Sequence, residues 1–386
     1  MNTDELIEQA HAATGLDDFG EPTWQEGLER FVDALEHEAA LNDLGRSLVP
    51  GEIVRYLSHR LGIEAERAAH PEIGEADVVP PVVIIGQGRT GTTILHDLLA
   101  QDPLTRVPLS WEVADPCPPP DAATYDTDPR IAEQEATASM VDLVIPGFRA
   151  MHPMGPLHVQ ECVAMTALEF RSMMFPVQYR IPSYVRWLLL DADMAPAYRW
   201  HRRFLQHLQS RHPTDRWVLK SPGHIWCLDA LLAEYPRALL VQTHRDPLRI
   251  IASLGSLVST LRSLASDDTS NPEAAAEWAD YILDGLDRSV TARLDGVVKP
   301  DRVVDVQFAE FMADPFTTIR TVYERLGYEL LPDAEARMRA FLAANPQDKF
   351  GKHAYTFAET GLDEGELRER ARRYQEYFDV PSEPLG

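Results

Sequence analysis

Eight consecutive residues, Gly86-Gln87-Gly88-Arg89-Thr90-Gly91-Thr92-Thr93, carry the sharpest chemistry in the chain. Successive backbone N–H groups in such a turn form a nest for an anion, and a helix start adds positive partial charge. Glycines let the backbone come close to the ligand. Gly86 and Gly91 keep the G-x-x-x-x-G spacing of a phosphate-binding loop. Thr92-Thr93 follow Gly91, where such loops carry Lys-Ser or Lys-Thr. The cation that reaches the outer phosphates of a nucleoside triphosphate is therefore missing from its place. Arg89 is the nearest substitute. No apolar strand ends in an Asp suited to holding Mg²⁺. The turn favours a phosphate-like group and disfavours ATP hydrolysis.

A second basic cluster lies downstream. Trp217-Val218-Leu219-Lys220-Ser221-Pro222-Gly223-His224 puts Lys220 at the end of an apolar run, and Thr243-His244-Arg245-Asp246-Pro247 does the same for Arg245. Ser253 lies eight residues past Arg245, about two helical turns on, so its hydroxyl can return toward the group that Arg245 grips. Residues 216–262 hold six Lys+Arg and three Asp+Glu, a net +3 inside a chain of −25. Such an island suits a small polyanion.

These residues need a scaffold that brings distant segments together. Val82–Ile85 is a short apolar run ending in glycine and reads as a buried parallel strand, with a helix from Thr92 to Ala100. Trp217–Leu219, Ala238–Thr243 and Arg302–Phe308 read as three more strands. Helices are expected from about His224 to Glu234 and from Pro247 on. Strands of this length alternating with helices indicate an α/β fold with a central parallel sheet, whose ligands bind at the carboxyl ends of the strands. Before Val78, apolar stripes such as Leu28, Phe31, Val32, Leu35 and Ile53, Tyr56, Leu57, Leu61 predict helices. Thr23 and Glu26 have capping-box spacing for one of them. Residues 1–79 hold 18 Asp+Glu and 5 Arg, and read as a helical N-terminal extension packed on the core. Residues 130–210 are mostly helical with proline breaks, and 265–277 are polar enough for a mobile loop.

Composition narrows the class. The chain has 386 residues, with 36 Lys+Arg against 61 Asp+Glu. At 45% hydrophobic and 25% charged, it has the makings of an ordinary folded core. The acidic balance argues against nucleic-acid binding. Cys117, Cys162 and Cys227 lack metal-site spacing and cannot build a disulfide scaffold. No signal peptide or membrane span is legible, so a cytoplasmic location is expected.

In combination these motifs resemble the sulfotransferases that use 3′-phosphoadenosine 5′-phosphosulfate (PAPS), in the bacterial branch written around G-x-x-R-T-G-T-T. The resemblance covers roughly residues 80–360. It implies a three-layer P-loop-type fold, a sulfotransferase domain over residues 80–386, and an acceptor side within the helical 130–210 region. It implies that Arg89, Thr90, Gly91, Thr92 and Thr93 bind the 5′-phosphosulfate, and that Arg245 and Ser253 bind the 3′-phosphate. Lys220 falls where tyrosylprotein-type members place a Lys on the sulfuryl group. Lys349-Phe350-Gly351-Lys352-His353 is similar to the basic loop that closes over the nucleotide. Glu112, 23 residues after Arg89, falls near the catalytic Glu of the tyrosylprotein-type enzymes and is the expected base. His158, Glu161 and His224 are its rivals. Many cytosolic members carry Lys in place of Arg89 and use His as base.

The implied reaction is an in-line displacement at sulfur, with PAPS as co-substrate, adenosine 3′,5′-bisphosphate as product and no metal. Arg89, Lys220, Thr92 and Thr93 would meet the charge that builds on the leaving phosphate. Met151, Met154, Met165, Phe170, Met173, Met174, Phe175, Tyr179, Tyr184 and Trp187 could line an adaptable apolar pocket. A hydrophobic alcohol or phenol is therefore the expected acceptor, and a lipid would fit. The competing readings are a P-loop nucleotide kinase or NTPase, and a nucleotide-binding regulator that lost turnover.

Overall fold

The strand runs build one sheet. In a computed structural model describing residues 1–144, 155–346 and 356–385, five strands form: β1 Val82–Ile85, β2 Thr105–Arg106, β3 Arg216–Lys220, β4 Leu239–His244 and β5 Val303–Gln307. They pair in the order β2-β3-β1-β4-β5, and every pairing is parallel. The first strand is thus central, with Val82 beside Val218 on one side and Leu239 on the other. The chain leaves β1 toward β2 and crosses back after β3 to reach β4. Open sheets bind ligands at such a reversal of strand order.

Side chains alternate across the sheet and make three layers. Val82, Ile84, Val218, Val241, Val304 and Val306 face one core with Leu95, Leu98 and Ile319. Val83, Ile85, Trp217, Leu219 and Leu240 face a larger core with Leu248, Ile251, Trp278 and Ile282. Helices α1 (Thr3–Thr14), α2 (Trp24–His37) and α3 (Asp43–Ala69) contribute to that larger core through Leu6, Phe31 and Leu57. Arg60 of α3 is buried, pairs with buried Glu169 at 2.6 Å and lies over the Trp200 ring at 3.9 Å. It also donates to the carbonyls of Phe19, Glu21 and Leu168, so four hydrogen bonds in all hold the buried charge. The acid of the first segment also meets base nearby. Arg203 pairs with Glu21 and Glu64, Arg199 with Glu21, and Arg202 with Asp77.

Two local expectations change. Thr23 lies in helical backbone, not the extended backbone of a cap, and makes no capping bond, and Glu26 is drawn to Arg30, Arg171 and the Trp187 indole. The second half of the polar 265–277 stretch is helical: Ser270 caps helix Asn271–Leu294 by accepting from the Glu273 N–H. Among the described residues, no helix is long and apolar enough to cross a membrane.

Candidate active site

Register decides which strand ends meet. Ile84 lies beside Lys220 on one side and Val241 on the other, so the 86–93 turn emerges between Lys220 and Thr243. Gly86 has φ +124°, and a Cβ there would fall 2.6 Å from Thr243 Oγ1, which excludes a side chain. Buried Thr90 Oγ1 donates to the Gln87 carbonyl at 2.6 Å and lies 2.6 Å from Thr243 Oγ1. That hydroxyl fastens the turn to β4, which leaves the backbone N–H as the group Thr90 can offer a ligand. Gly91, at φ +88°, precedes helix α4 (Thr92–Leu99) and gives it no side-chain cap. Thr92 is buried under the turn, whereas Thr93 is half-buried.

Arg89 adopts φ +70°, a strained setting for a residue with a side chain. The strain turns its guanidinium toward helix α5 (Pro247–Arg262), where Nε donates to Ser253 Oγ at 2.9 Å. Arg245 Nη1 donates to the Arg89 carbonyl at 2.9 Å. Arg89 therefore joins Arg245 and Ser253 into one cluster. The Arg245 fork grips the Glu383 carboxylate at 3.0 and 3.1 Å, and lies 4.0 Å from the Phe308 ring centroid. Phe308 also covers Gly91, 3.2 Å from where its Cβ would be. Next door, Asp246 caps α5 by accepting from the Leu248 N–H at 3.0 Å. Its carboxylate also accepts from Arg368 and from the Glu383 N–H, both at 2.6 Å. The chain's last helix and tail thus brace the β4 turn.

Lys220 is buried, and its ammonium donates to Thr93 Oγ1 at 3.4 Å and to the Glu161 carboxylate. Asp97, one turn beyond Thr93 on α4, has its carboxyl pushed up to about 6 by burial, against the pull of the Lys220 charge. Arg89, Lys220, Arg245, Ser253 and Thr93 therefore gather around one turn. Lys349, Gly351, Lys352, Met151 and Met154 lie outside the described residues.

Glu112 is placed elsewhere. It is 0% exposed, accepts from Arg106 Nη2 at 2.5 Å, and takes the Leu109 N–H at 2.8 Å. Arg106 is itself buried against the Trp217 ring at 4.8 Å. Both carboxylate oxygens are occupied by protein, which gives Glu112 a helix-capping, counter-charge setting with no open edge. Glu112→Gln keeps the N–H contact and strands the Arg106 charge. It should lower stability by about 2–3 kcal/mol, somewhat under the loss from deleting a buried partner outright. Urea unfolding checks this, and an unchanged midpoint would rule out the counter-charge role.

His224 is also enclosed. Nδ1 lies 2.8 Å from the Tyr198 hydroxyl, Nε2 has no hydrogen-bond partner, and burial pushes its pKa down to about 3. It lines a cavity of about 260 Å³ with Cys162, Met173, Tyr198, Ser221 and Gly223. Of the expected pocket aromatics, Phe170, Phe175, Tyr179, Tyr184 and Trp187 are core residues. Phe175 stacks on Phe31 at 4.1 Å and cements the N-terminal helices to the domain. Glu383 and Phe308 escaped the sequence reading: neither belongs to a motif, and each reaches the site only through folding.

Three comparisons bear on this arrangement. Residues 80–333 match the family described as the sulfotransferase family. The omega-hydroxy-beta-dihydromenaquinone-9 sulfotransferase Stf3 of Mycobacterium bovis is 27% identical over 320 residues, covering 76% of this chain and 75% of its own. The crystal structure of sulfotransferase STF9 from Mycobacterium avium superposes with a TM-score of 0.89 at 31% identity, covering 100% of this chain and 98% of that one. Sulfotransferase STF1 from Mycobacterium tuberculosis gives a TM-score of 0.85 at 31% identity, covering 96% and 98%.

Proposed function

The chain belongs to the sulfotransferase family, and we propose that it moves the sulfuryl group of PAPS to the hydroxyl of a hydrophobic small-molecule or lipid acceptor. The observation that carries this reading is the meeting of three strand ends at one turn, with Lys220, Arg89 and Arg245 around it. An anion-sized fit is supported by Glu383, whose carboxylate already fills the Arg245 fork. On this reading the Arg245–Ser253 side holds the 3′-phosphate, while the turn, Arg89 and Thr93 hold the phosphosulfate. Lys220 neutralises charge on the bridging oxygen as the S–O bond breaks. Positioning and charge neutralisation do most of the work in such transfers, as in phosphoryl transfer. A cytoplasmic setting suits this donor chemistry. The acceptor class is supported by the similar enzyme from Mycobacterium bovis, whose name describes a hydroxylated menaquinone derivative as its substrate.

The test is calorimetric titration with adenosine 3′,5′-bisphosphate in metal-free buffer, with ATP and ADP as controls. Micromolar binding is expected, weakened by about tenfold or more in Arg245→Ala as a charge-assisted, bidentate contact is lost. No binding, or tighter Mg²⁺-dependent binding of ATP, would overturn the donor assignment in favour of a nucleotide kinase.

A further inference from the structure

A sulfuryl acceptor must lose a proton, and with Glu112 sealed against Arg106 that proton needs another destination. Glu161 stands at the start of helix Cys162–Thr166, in extended backbone at φ −88° and ψ 149°. An acidic residue there commonly turns back to accept from the helix amides. Glu161 makes no such bond. Its carboxylate reaches away from the helix to the Lys220 ammonium. A line therefore runs from Thr93 on the phosphate turn, through Lys220, to Glu161. The exposures differ along it: the Lys220 side chain is 2% exposed and that of Glu161 is 24%. Glu161 thus has an open edge for a ligand, which Glu112 lacks.

Direction matters as well. In an in-line displacement the attacking oxygen comes from the side opposite the leaving group. Thr93, which the Lys220 ammonium meets, shares with Asp97 the helix that starts at the phosphate turn. Glu161 comes from the 155–161 segment, which bridges Leu109 through Val159, and so reaches Lys220 from a different element than Thr93 does. A base must lie within hydrogen-bond reach of the proton it takes, and the partly open carboxylate beside the Lys220 cation can offer that reach.

We propose that Glu161 is the base that removes the acceptor's hydroxyl proton, an inference that rests on the PAPS-dependent transfer proposed above. The acceptor O–H proton passes to the Glu161 carboxylate as the acceptor oxygen bonds to sulfur. The S–O bond to the phosphate breaks, and adenosine 3′,5′-bisphosphate leaves with that electron pair. Lys220 pairs with Glu161 before the reaction, then neutralises the departing oxygen.

The test compares two acceptors that differ in whether a proton must be moved. With PAPS as donor, 2-naphthol is protonated at neutral pH, whereas 4-nitrophenol is assayed at a pH where it is ionised. Glu161→Gln should lose about 10²–10³-fold in kcat with 2-naphthol but less than about fivefold with 4-nitrophenolate, and Glu161→Asp should recover part of the loss. Binding of adenosine 3′,5′-bisphosphate should be retained in both variants, which shows that they fold. Equal losses on both acceptors, or no loss on either, would overturn the assignment. A wild-type chain that binds the bisphosphate yet sulfates neither compound would sink the alcohol and phenol acceptor class, and the base with it. A wild-type chain that fails to bind the bisphosphate would sink the donor reading itself.

Discussion

Lys220→Met is expected to lower turnover by about 10²–10³-fold, the scale on which removing one preorganised charge-stabilising donor acts. The effect should fall on kcat, because the ammonium contacts Thr93 and Glu161 and not Arg245 or Ser253, the residues proposed to hold the nucleotide's 3′-phosphate. Met keeps most of the volume of the buried Lys stem, so no large cavity opens. Glu161 retains access to water at 24% exposure and does not become a stranded buried charge. Stability should therefore move by less than about 1 kcal/mol, as for a volume-conserving change. Single-turnover measurement with PAPS and 2-naphthol checks the rate, and thermal unfolding checks the fold. A rate within a few fold of wild type would remove Lys220 from the reaction.

Acidification from pH 7 to pH 5 is expected to strip most of the chain's stability. His96, His201, His207 and His224 are all buried. Burial lowers His96, His201 and His224 from 6.5 to about 3, and His207 to about 4. Their contacts suit the neutral ring: His96 Nε2–H donates to the Val218 carbonyl at 3.1 Å, and His207 Nε2–H to the Pro116 carbonyl at 2.7 Å. Between the folded and unfolded values, the unfolded chain takes up protons that the folded chain refuses. The stabilisation is therefore whole above about pH 6.5, declines as pH falls, and is exhausted near pH 3–4. At pH 5 each ring costs about 2 kcal/mol, so four together cost about 8 kcal/mol, against a typical net stability of about 5–15 kcal/mol. Urea midpoints at pH 7, 6 and 5 should fall steeply. A level series would mean that these imidazoles are not held neutral by the fold.

Much of the scaffold was legible because short apolar runs ending at Gly, Lys or Arg can do little else than form buried parallel strands. Val82–Ile85 and the run leading to Arg245 are cases in point. β2, only Thr105–Arg106, had no pattern to read, since it exists through pairing with Arg216 and Trp217. The phosphate turn was legible because a glycine spacing encodes backbone geometry locally. What a side chain does there depends on what reaches it through space. Thr90 and Thr92 look alike in sequence to Thr93, yet Thr90 is tied to Thr243 across the sheet. Glu112 shows the same limit. Its position suggested catalysis, while its burial with Arg106 depended on how the loop after β2 folds back. The aromatics of residues 170–187 could equally fill a core or a pocket. The N-terminal helices settled the matter by supplying Phe31 and Tyr56 as partners.

The grip of Arg245 on Glu383 means that this guanidinium is never a bare charge waiting for a ligand. Any anion that takes its place enters by exchange, and must first release a counter-ion that belongs to the chain. A small ion touching Arg245 alone swaps one carboxylate contact for one of similar strength and gains little. A ligand long enough to reach from Arg245 along the turn to Thr93 and Lys220 gives up one contact and makes several. On the proposed donor reading, Glu383 would thereby set a threshold that two-headed nucleotides clear and inorganic phosphate or sulfate does not, so selectivity for the long ligand would arise partly from a residue that need not touch it.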